Sequence, residues 1–531
     1  MSDTPQRAEA PPLAWREALA ALAILLALTL ALHTLAFRGY FILDDWINIG
    51  WLPEGKSVGH LFIGNWIDGG HPPDSGALYR PIPRISFLLD RAIWGLDRPW
   101  GFHLTNLILH GLCIFFLWGI ARSLWRSRWV AWGAALLFWA HPLTVEPAQW
   151  ISARTDLWAA VFSFPAIWLT IALTGAPTGE GRAGFPRPRF WSLPLMALAL
   201  CSKETAVVLP ALLLFIDLLR QRGWTRARLI WWVATIGLWA CYFGLRRMIF
   251  GEFLGYGMAE RYMSLAGYGR AVICAVAVIS LLVLIPLVVI STALCLWRRV
   301  DLRPLLLASV WFLLSLVPLT ALGFSWTENT RLLYPGVAAF CLLTAGSMAW
   351  ALDPPMRRER ALLSVSGAVL ICWLALSLGF AVLRISSWSR ASRECRTVVE
   401  SIAEDLMALP ADGAVVIEPA PERSFGITIF RTIDLSVAVA TLLDERGVSH
   451  GPILSRPLGE TDPGDDLLIR ERGSDSPFSP VTAIIDFRTV SEGVGYQLPG
   501  DSRSEIVRWD SRTDERRVIG EVRHGGESQI D

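Results

Sequence analysis

Residues 41–50 read FILDDWINIG and follow directly on the apolar run ALAALAILLALTLALHTLAF at 18–37. Asp44 and Asp45 therefore sit where a membrane helix would surface, and ionisable groups beside hydrocarbon are costly enough to mark sites. Further along come LYRPIPR (78–84), HLTNLILH (103–110), HPLTVEPAQWISARTD (141–156), CSKET (201–205) and TENTRLLY (327–334). Together they collect Asp44, Asp45, Glu146, Asp156 and Glu204 against Arg80, Arg154, Lys203 and Arg331. Cations of this kind suit a phosphate held at a lipid surface, arginine as a bidentate fork and lysine as a point charge. Carboxylates can take a proton from an attacking hydroxyl. The set suits transfer of a group from a lipid phosphate to an external hydroxyl.

Each cluster also has a plainer reading. The acidic pair could belong to a solvated loop. His103, Asn106 and His110 share one helix face by their i, i+3, i+7 spacing, where interhelical hydrogen bonds would suffice; His110 lies deepest and is the most structural of the three. Arg154 could pair with Asp156, and Lys203 with Glu204. A lysine inside an apolar stretch nevertheless needs a negative partner, and the chain has lysine at 56 and 203 alone.

Composition defines the elements that must hold these residues. The 531 residues are 53% hydrophobic with mean hydropathy +0.43 and 26 tryptophans. Apolar runs of about 20 residues, each long enough to span a bilayer, recur from 18 to about 384, so the chain reads as a polytopic α-helical membrane protein. Eleven spans are expected, at about 16–37, 102–122, 129–141, 156–174, 190–202, 204–220, 229–247, 270–296, 304–322, 332–350 and 361–384. The net charge of +1 gives no reason to expect nucleic acid as a partner. The cysteines show neither a disulfide framework nor metal-ligand spacing; seven lie in apolar segments, with Cys395 assigned to the C-terminal part.

Arginine-rich loops at 122–128, 181–189, 220–228, 297–303 and 356–360 belong in the cytoplasm by the positive-inside rule. The N-terminus (1–15) then lies inside, and the membrane domain (16–385) has a long first loop (38–101) outside. In that loop WLPEGKSVGHLFIGNW reads as interfacial and amphipathic. The polar clusters share the outer side with this loop. From 386 to 531 the composition changes, and AVVIEPA (414–420) and VTAIIDF (481–487) read as strands with a helix over 436–447 between them. A small extracytoplasmic α/β domain is expected there.

The ordered motifs — DD after the first span, YRP (79–81), H-x-x-N-x-x-x-H (103–110), HP-x-x-x-E-x-x-x-W-x-x-x-R-x-D (141–156), SKE (202–204) and R-x-x-Y (331–334) — resemble the membrane core of the transmembrane O-mannosyltransferases that carry tetratricopeptide repeats, and their bacterial relatives. The resemblance covers about 40–350 and implies a GT-C glycosyltransferase fold. It implies inverting transfer of a sugar, such as mannose, from a polyprenyl-phosphate donor to a hydroxyl acceptor. One of Asp44 and Asp45 would be the general base, and the other would orient the acceptor or a divalent cation. Arg80, Arg154, Lys203 and Arg331 would hold the donor phosphate and stabilise its charge as it leaves. Tyr79, His103, Asn106, His141, Glu146, Asp156, Glu204 and Tyr334 would shape the pocket for sugar and acceptor.

One departure is clear, because the tail has no 34-residue period where those enzymes continue into repeats. The acceptor, whether periplasmic protein, glycan or lipid, therefore stays open. The rival classes are a flippase for a lipid-linked glycan and a non-catalytic membrane scaffold. Transporters call for mid-membrane charges and internal repeats, whereas here the charges cluster at one outer face and no repeat stands out.

Overall fold

The computed structural model describes residues 15–50, 57–63, 78–174, 188–221, 223–251, 253, 302–318, 330–351 and 360–407, and in the C-terminal part 414–420, 423–424, 427–428, 434–448, 453–457, 469–471, 483–485, 504–510, 515–522 and 529–530. Helices dominate up to residue 407. In chain order they are α1 (Trp15–Leu32), α2 (Asp45–Ile49), α3 (Pro81–Trp94), α4 (Pro99–Trp125), α5 (Arg128–Trp139), α6 (Val145–Gln149), α7 (Arg154–Thr174), α8 (Ser192–Leu200), α9 (Leu209–Arg220), α10 (Arg226–Phe250), α11 (Arg303–Leu316), α12 (Tyr334–Ala351), α13 (Arg360–Leu406) and α14 (Asp434–Glu445). A helix lies over each expected span except 270–296, which falls outside the described residues. So do most of 248–269 and the basic loops at 181–189, 297–303 and 356–360, and the larger part of the interfacial stretch at 51–66.

Five helical stretches among the described residues are long and apolar enough to cross a membrane, four of them within α1, α4, α10 and α13 and one, Ile151–Ala172, made of most of α7 and the turn before it. The chain is a multi-pass membrane protein. α8, nine residues long, and α5, twelve, fall short of the roughly 20 residues that a full crossing needs.

Two compact units emerge from the contacts. The first comprises Met1–Thr34, Leu104–Gln149 and Ala153–Arg384. Within it α7 packs on α8 and α9, and α12 on α5 and α11. Without a hydrophobic force between helices in lipid, close packing relies on small residues. Gly119 of α4 shows this: a Cβ there would stand 2.7 Å from the ring of Trp168 on α7. At one end of this unit Glu17 takes Arg128 at 3.2 Å and Arg122 at 3.6 Å. The start of α1 and the arginine-rich 122–128 turn, both read as cytoplasmic, therefore meet.

The second unit comprises Leu35–His103, Trp150–Ser152 and Ile385–Asp531. α13 runs through the expected boundary at 386 and continues to Leu406, and the contacts divide the two units between Arg384 and Ile385. Ile385, Trp388, Ala391, Cys395, Val399 and Ile402 are buried at helical spacing, so Cys395 belongs to this helix and not to the α/β part. Its thiol faces the carbonyl of Phe41 at 3.2 Å, Ser392 bonds the backbone of Tyr40, and Trp388 stacks on Trp150. The first loop, expected as a connection, thus holds helices of its own, α2 and α3, and its Tyr40–Phe41 segment lies against α13.

Beyond it lies a five-stranded sheet of β1 (Ala414–Ala420), β2 (Ile453–Pro457), β3 (Ser504–Asp510), β4 (Glu515–Val522) and β5 (Gln529–Ile530), in the order β2-β1-β3-β4-β5. β1 runs parallel to both β2 and β3, and the last pairs are antiparallel. α14 is the crossover between β1 and β2, as parallel neighbours require. The strand expected at 481–487 is Ala483–Ile485, paired antiparallel with Ile469–Glu471.

Candidate active site

In the first unit, the broken segment after α5 gathers polar groups. Pro142 ends regular helix there, His141 caps the short turn by accepting from the Leu143 amide at 3.2 Å, and α6 is only five residues long. Asp156, in the first turn of α7, accepts from Lys203 Nζ at 2.6 Å, and Arg331 Nε lies 3.7 Å from the same oxygen. Lys203 sits in the turn between α8 and α9 and Arg331 just before α12. Three segments distant in sequence meet on one carboxylate. The Lys203 and Asp156 side chains are almost wholly buried, whereas that of Arg331 is 17% exposed.

Arg154 is fully buried and donates through Nε to Asn106 Oδ1 at 2.7 Å. Glu146 accepts from Arg384 at 2.9 Å and from Thr330. Glu204 stands 4.0 Å from Arg246. Tyr334 is buried with its hydroxyl 2.7 Å from His110 Nδ1, and His141 lies fully buried beside Trp373. Arg384, Arg246 and Thr330 had not been singled out in the sequence. A charge ending an apolar run, as Arg384 does, was the available signal.

In the second unit, α2 carries the acidic pair. Leu43 precedes it with φ +52°, a left-handed backbone that a bulky residue adopts at a cost of roughly 1–2 kcal/mol. Asp45 opens the helix and is buried. Its Oδ2 accepts from the Ile42 amide at 2.9 Å, and its Oδ1 takes both the Ser152 amide (2.7 Å) and hydroxyl (2.5 Å). Asn48 also donates to the Ser152 hydroxyl at 2.8 Å. Burial pushes the Asp45 carboxyl up to about 7, helped by the Asp44 charge and opposed by these hydrogen bonds. Asp44 is half-buried at the cap position and makes no side-chain cap bond to α2.

The remaining expected residues in this unit occupy different settings. Arg80 is half-buried ahead of Pro81, Tyr79 is buried with its hydroxyl donating to Phe62 O at 3.2 Å, and His103 is buried against Gly39. Both oxygens of Asp45 face N–H and O–H donors, and among the described residues no three His, Cys, Asp or Glu side chains gather.

No protein-family model matches the chain. It is 33% identical over 156 residues to the protein O-mannosyl-transferase Tmtc2 of Drosophila melanogaster, covering 28% of this chain and 16% of that one. It is 32% identical over 141 residues to the human TMTC2 (26% and 17%) and 28% identical over 192 residues to the mouse TMTC1 (34% and 20%). The chain thus spans a fifth or less of the length of these relatives. Among solved structures, ArnT from Cupriavidus metallidurans bound to undecaprenyl phosphate superposes with a TM-score of 0.50 at 15% identity, covering 85% of this chain and 87% of that one. That likeness gives the fold. The chain has the GT-C membrane fold and is a distant relative of the transmembrane O-mannosyltransferases.

Proposed function

We propose that this protein transfers a sugar, with mannose the first candidate, from a polyprenyl-phosphate donor to a hydroxyl on an acceptor outside the cytoplasm. The observation that carries this reading is the sharing of Asp156 by Lys203 and Arg331. Two cations on one carboxylate, with Arg331 the longer contact and partly exposed, can turn one of them toward a phosphate without stranding the acid. The lipid phosphate named with ArnT and the mannosyl transfer named with the TMTC proteins support the same chemistry.

The roles divide by chemistry. We assign the base role to Asp44, half-buried at the cap of α2, and the orienting role to Asp45, whose oxygens accept from Ile42 and Ser152. Asp44 takes the acceptor hydroxyl proton. The oxygen attacks the anomeric carbon with inversion, and the carbon–oxygen bond to phosphate breaks with its electron pair on the phosphate. Lys203, Arg331, Arg154 and Arg80 stabilise that growing charge. Tyr79, His103, Asn106, His141, Glu146, Glu204 and Tyr334 shape the pocket by holding these groups or the sugar. The arginine-rich loops support an inner-membrane protein with a cytoplasmic N-terminus and an extracytoplasmic α/β domain.

Purified protein in detergent, given undecaprenyl-phosphate mannose and a periplasmic extract, should release free undecaprenyl phosphate. A flippase would move the lipid intact, so an unchanged donor pool would sink the transferase reading.

A further inference from the structure

We propose that Arg91 and Glu445 are positioning residues through which the C-terminal α/β part sets the helix that bears Asp44 and Asp45; this rests on the transfer reaction proposed above. A helix as short as α2 cannot hold itself, because nucleation is costly and its last carbonyls have no partners within the helix. Two side chains of α3 supply them. Arg84 donates to the carbonyls of Asn48 and Ile47, and Arg91 Nη1 to Ile49 O at 3.0 Å. Guanidinium groups at a helix C-terminus also match its dipole.

Both arginines are 5% exposed, so each carries a desolvation cost. Burial pulls Arg84 down to about 10 and lowers Arg91 as well, with Glu445 opposing the fall at Arg91. The counter-charge comes from the far end of the chain, since Arg91 Nη2 donates to Glu445 Oε2 at 2.7 Å. Glu445 is the last residue of α14, where the helix dipole disfavours an acid. Its place there is explained by Arg91 and not by its own helix. α14 also packs directly on α2, with Leu435, Val439, Leu442 and Leu443 buried. One guanidinium therefore grips the end of α2 and the crossover helix of the sheet together.

The test uses the full-length protein in lipid nanodiscs and the variants Glu445→Gln, Glu445→Asp and Arg91→Met. Hydrogen–deuterium exchange should rise roughly threefold or more in the peptide 41–50 of Glu445→Gln and Arg91→Met, with the peptide 204–220 unchanged. With undecaprenyl-phosphate mannose, turnover should fall roughly tenfold in these two at an unchanged donor KM, because misplaced groups lose rate; Glu445→Asp should recover part of it. Unaltered exchange at 41–50 overturns the proposal whatever the activity. Faster exchange at 41–50 in the two variants, with a wild type that transfers no sugar, would leave the clamp standing and remove the transfer reading instead. Uniformly faster exchange across both peptides would show a merely structural pair and also overturn it.

Discussion

Ser152 gives both its amide N–H and its hydroxyl to a single oxygen of Asp45, at 2.7 and 2.5 Å. The other oxygen takes the Ile42 amide. A carboxylate held by three donors in a buried setting is an anchor; the acid beside it, Asp44, is half-buried and makes no side-chain cap bond to α2. The DD pair is thus two different groups, separated by burial and not by sequence.

Substitution should separate them. Asp44→Asn keeps the shape of the side chain and removes its basicity, so release of undecaprenyl phosphate should fall about a hundredfold or more, the usual contribution of a general base. Asp45→Asn should fall less than about tenfold, since an amide oxygen can still accept from Ser152. The steady-state rate of lipid release at saturating donor decides between them. Equal losses in the two variants would dissolve the distinction.

The same burial makes Asp45 a pH-dependent element of stability. Its folded value of about 7 lies above the 3.8 of an ordinary aspartate, so the folded form binds the proton more tightly. That contribution is complete below about 3.8 and is lost as pH rises through 7. Between pH 5.5 and 8.5 the wild type should lose about 2 kcal/mol from this group, at about 1.4 kcal/mol per unit. Asp45→Asn cannot ionise there. The difference in Tm between variant and wild type, measured in detergent at both pH values, should move in the variant's favour on going to pH 8.5.

Much of the architecture was legible because bilayer spans need long apolar runs and those runs are plain in the text. The overlap of α13 with the expected tail was not. Residues 386–406 look polar by composition, and only the spacing of Trp388, Cys395, Val399 and Ile402 betrays a buried face. Lys203 stood out as a lysine in an apolar stretch, yet its partner Asp156 lies 47 residues away, and nothing local could choose it over Glu204. Arg84 and Arg91 had not been singled out in the sequence. Their function lies in carbonyls of another helix, which residue types do not encode.

Gly39 offers a steric test of how the first loop is held. A Cβ at this position would stand 2.5 Å from His103 Nε2 and 2.8 Å from the Ala36 carbonyl oxygen. Gly39→Ala should therefore destabilise the protein by about 1–3 kcal/mol, the range for overpacking. Adding His103→Ala should recover part of the loss and no more, because the Ala36 oxygen belongs to backbone. Thermal unfolding of the three variants measures this; full recovery in the double variant would show that the imidazole alone sets the limit.

Lys203 and Asp156 form a buried contact that the proposed function places at the donor phosphate, and their energetics can be separated from their chemistry. Lys203→Met strands the buried Asp156 and should destabilise the protein by about 3–5 kcal/mol, as removing one partner of a buried pair does. Arg331, 3.7 Å from the same oxygen, limits the loss toward the lower end. Adding Asp156→Asn removes the stranded charge, so the double variant should regain most of its Tm. It should not regain donor binding, because the phosphate has lost its point charge. Titration of undecaprenyl phosphate, followed by the thermal shift that it produces in each variant, reads the two effects independently. A double variant that recovers stability and binds the lipid as the wild type does would take Lys203 out of the phosphate site and leave it a strut between α7 and the α8–α9 turn.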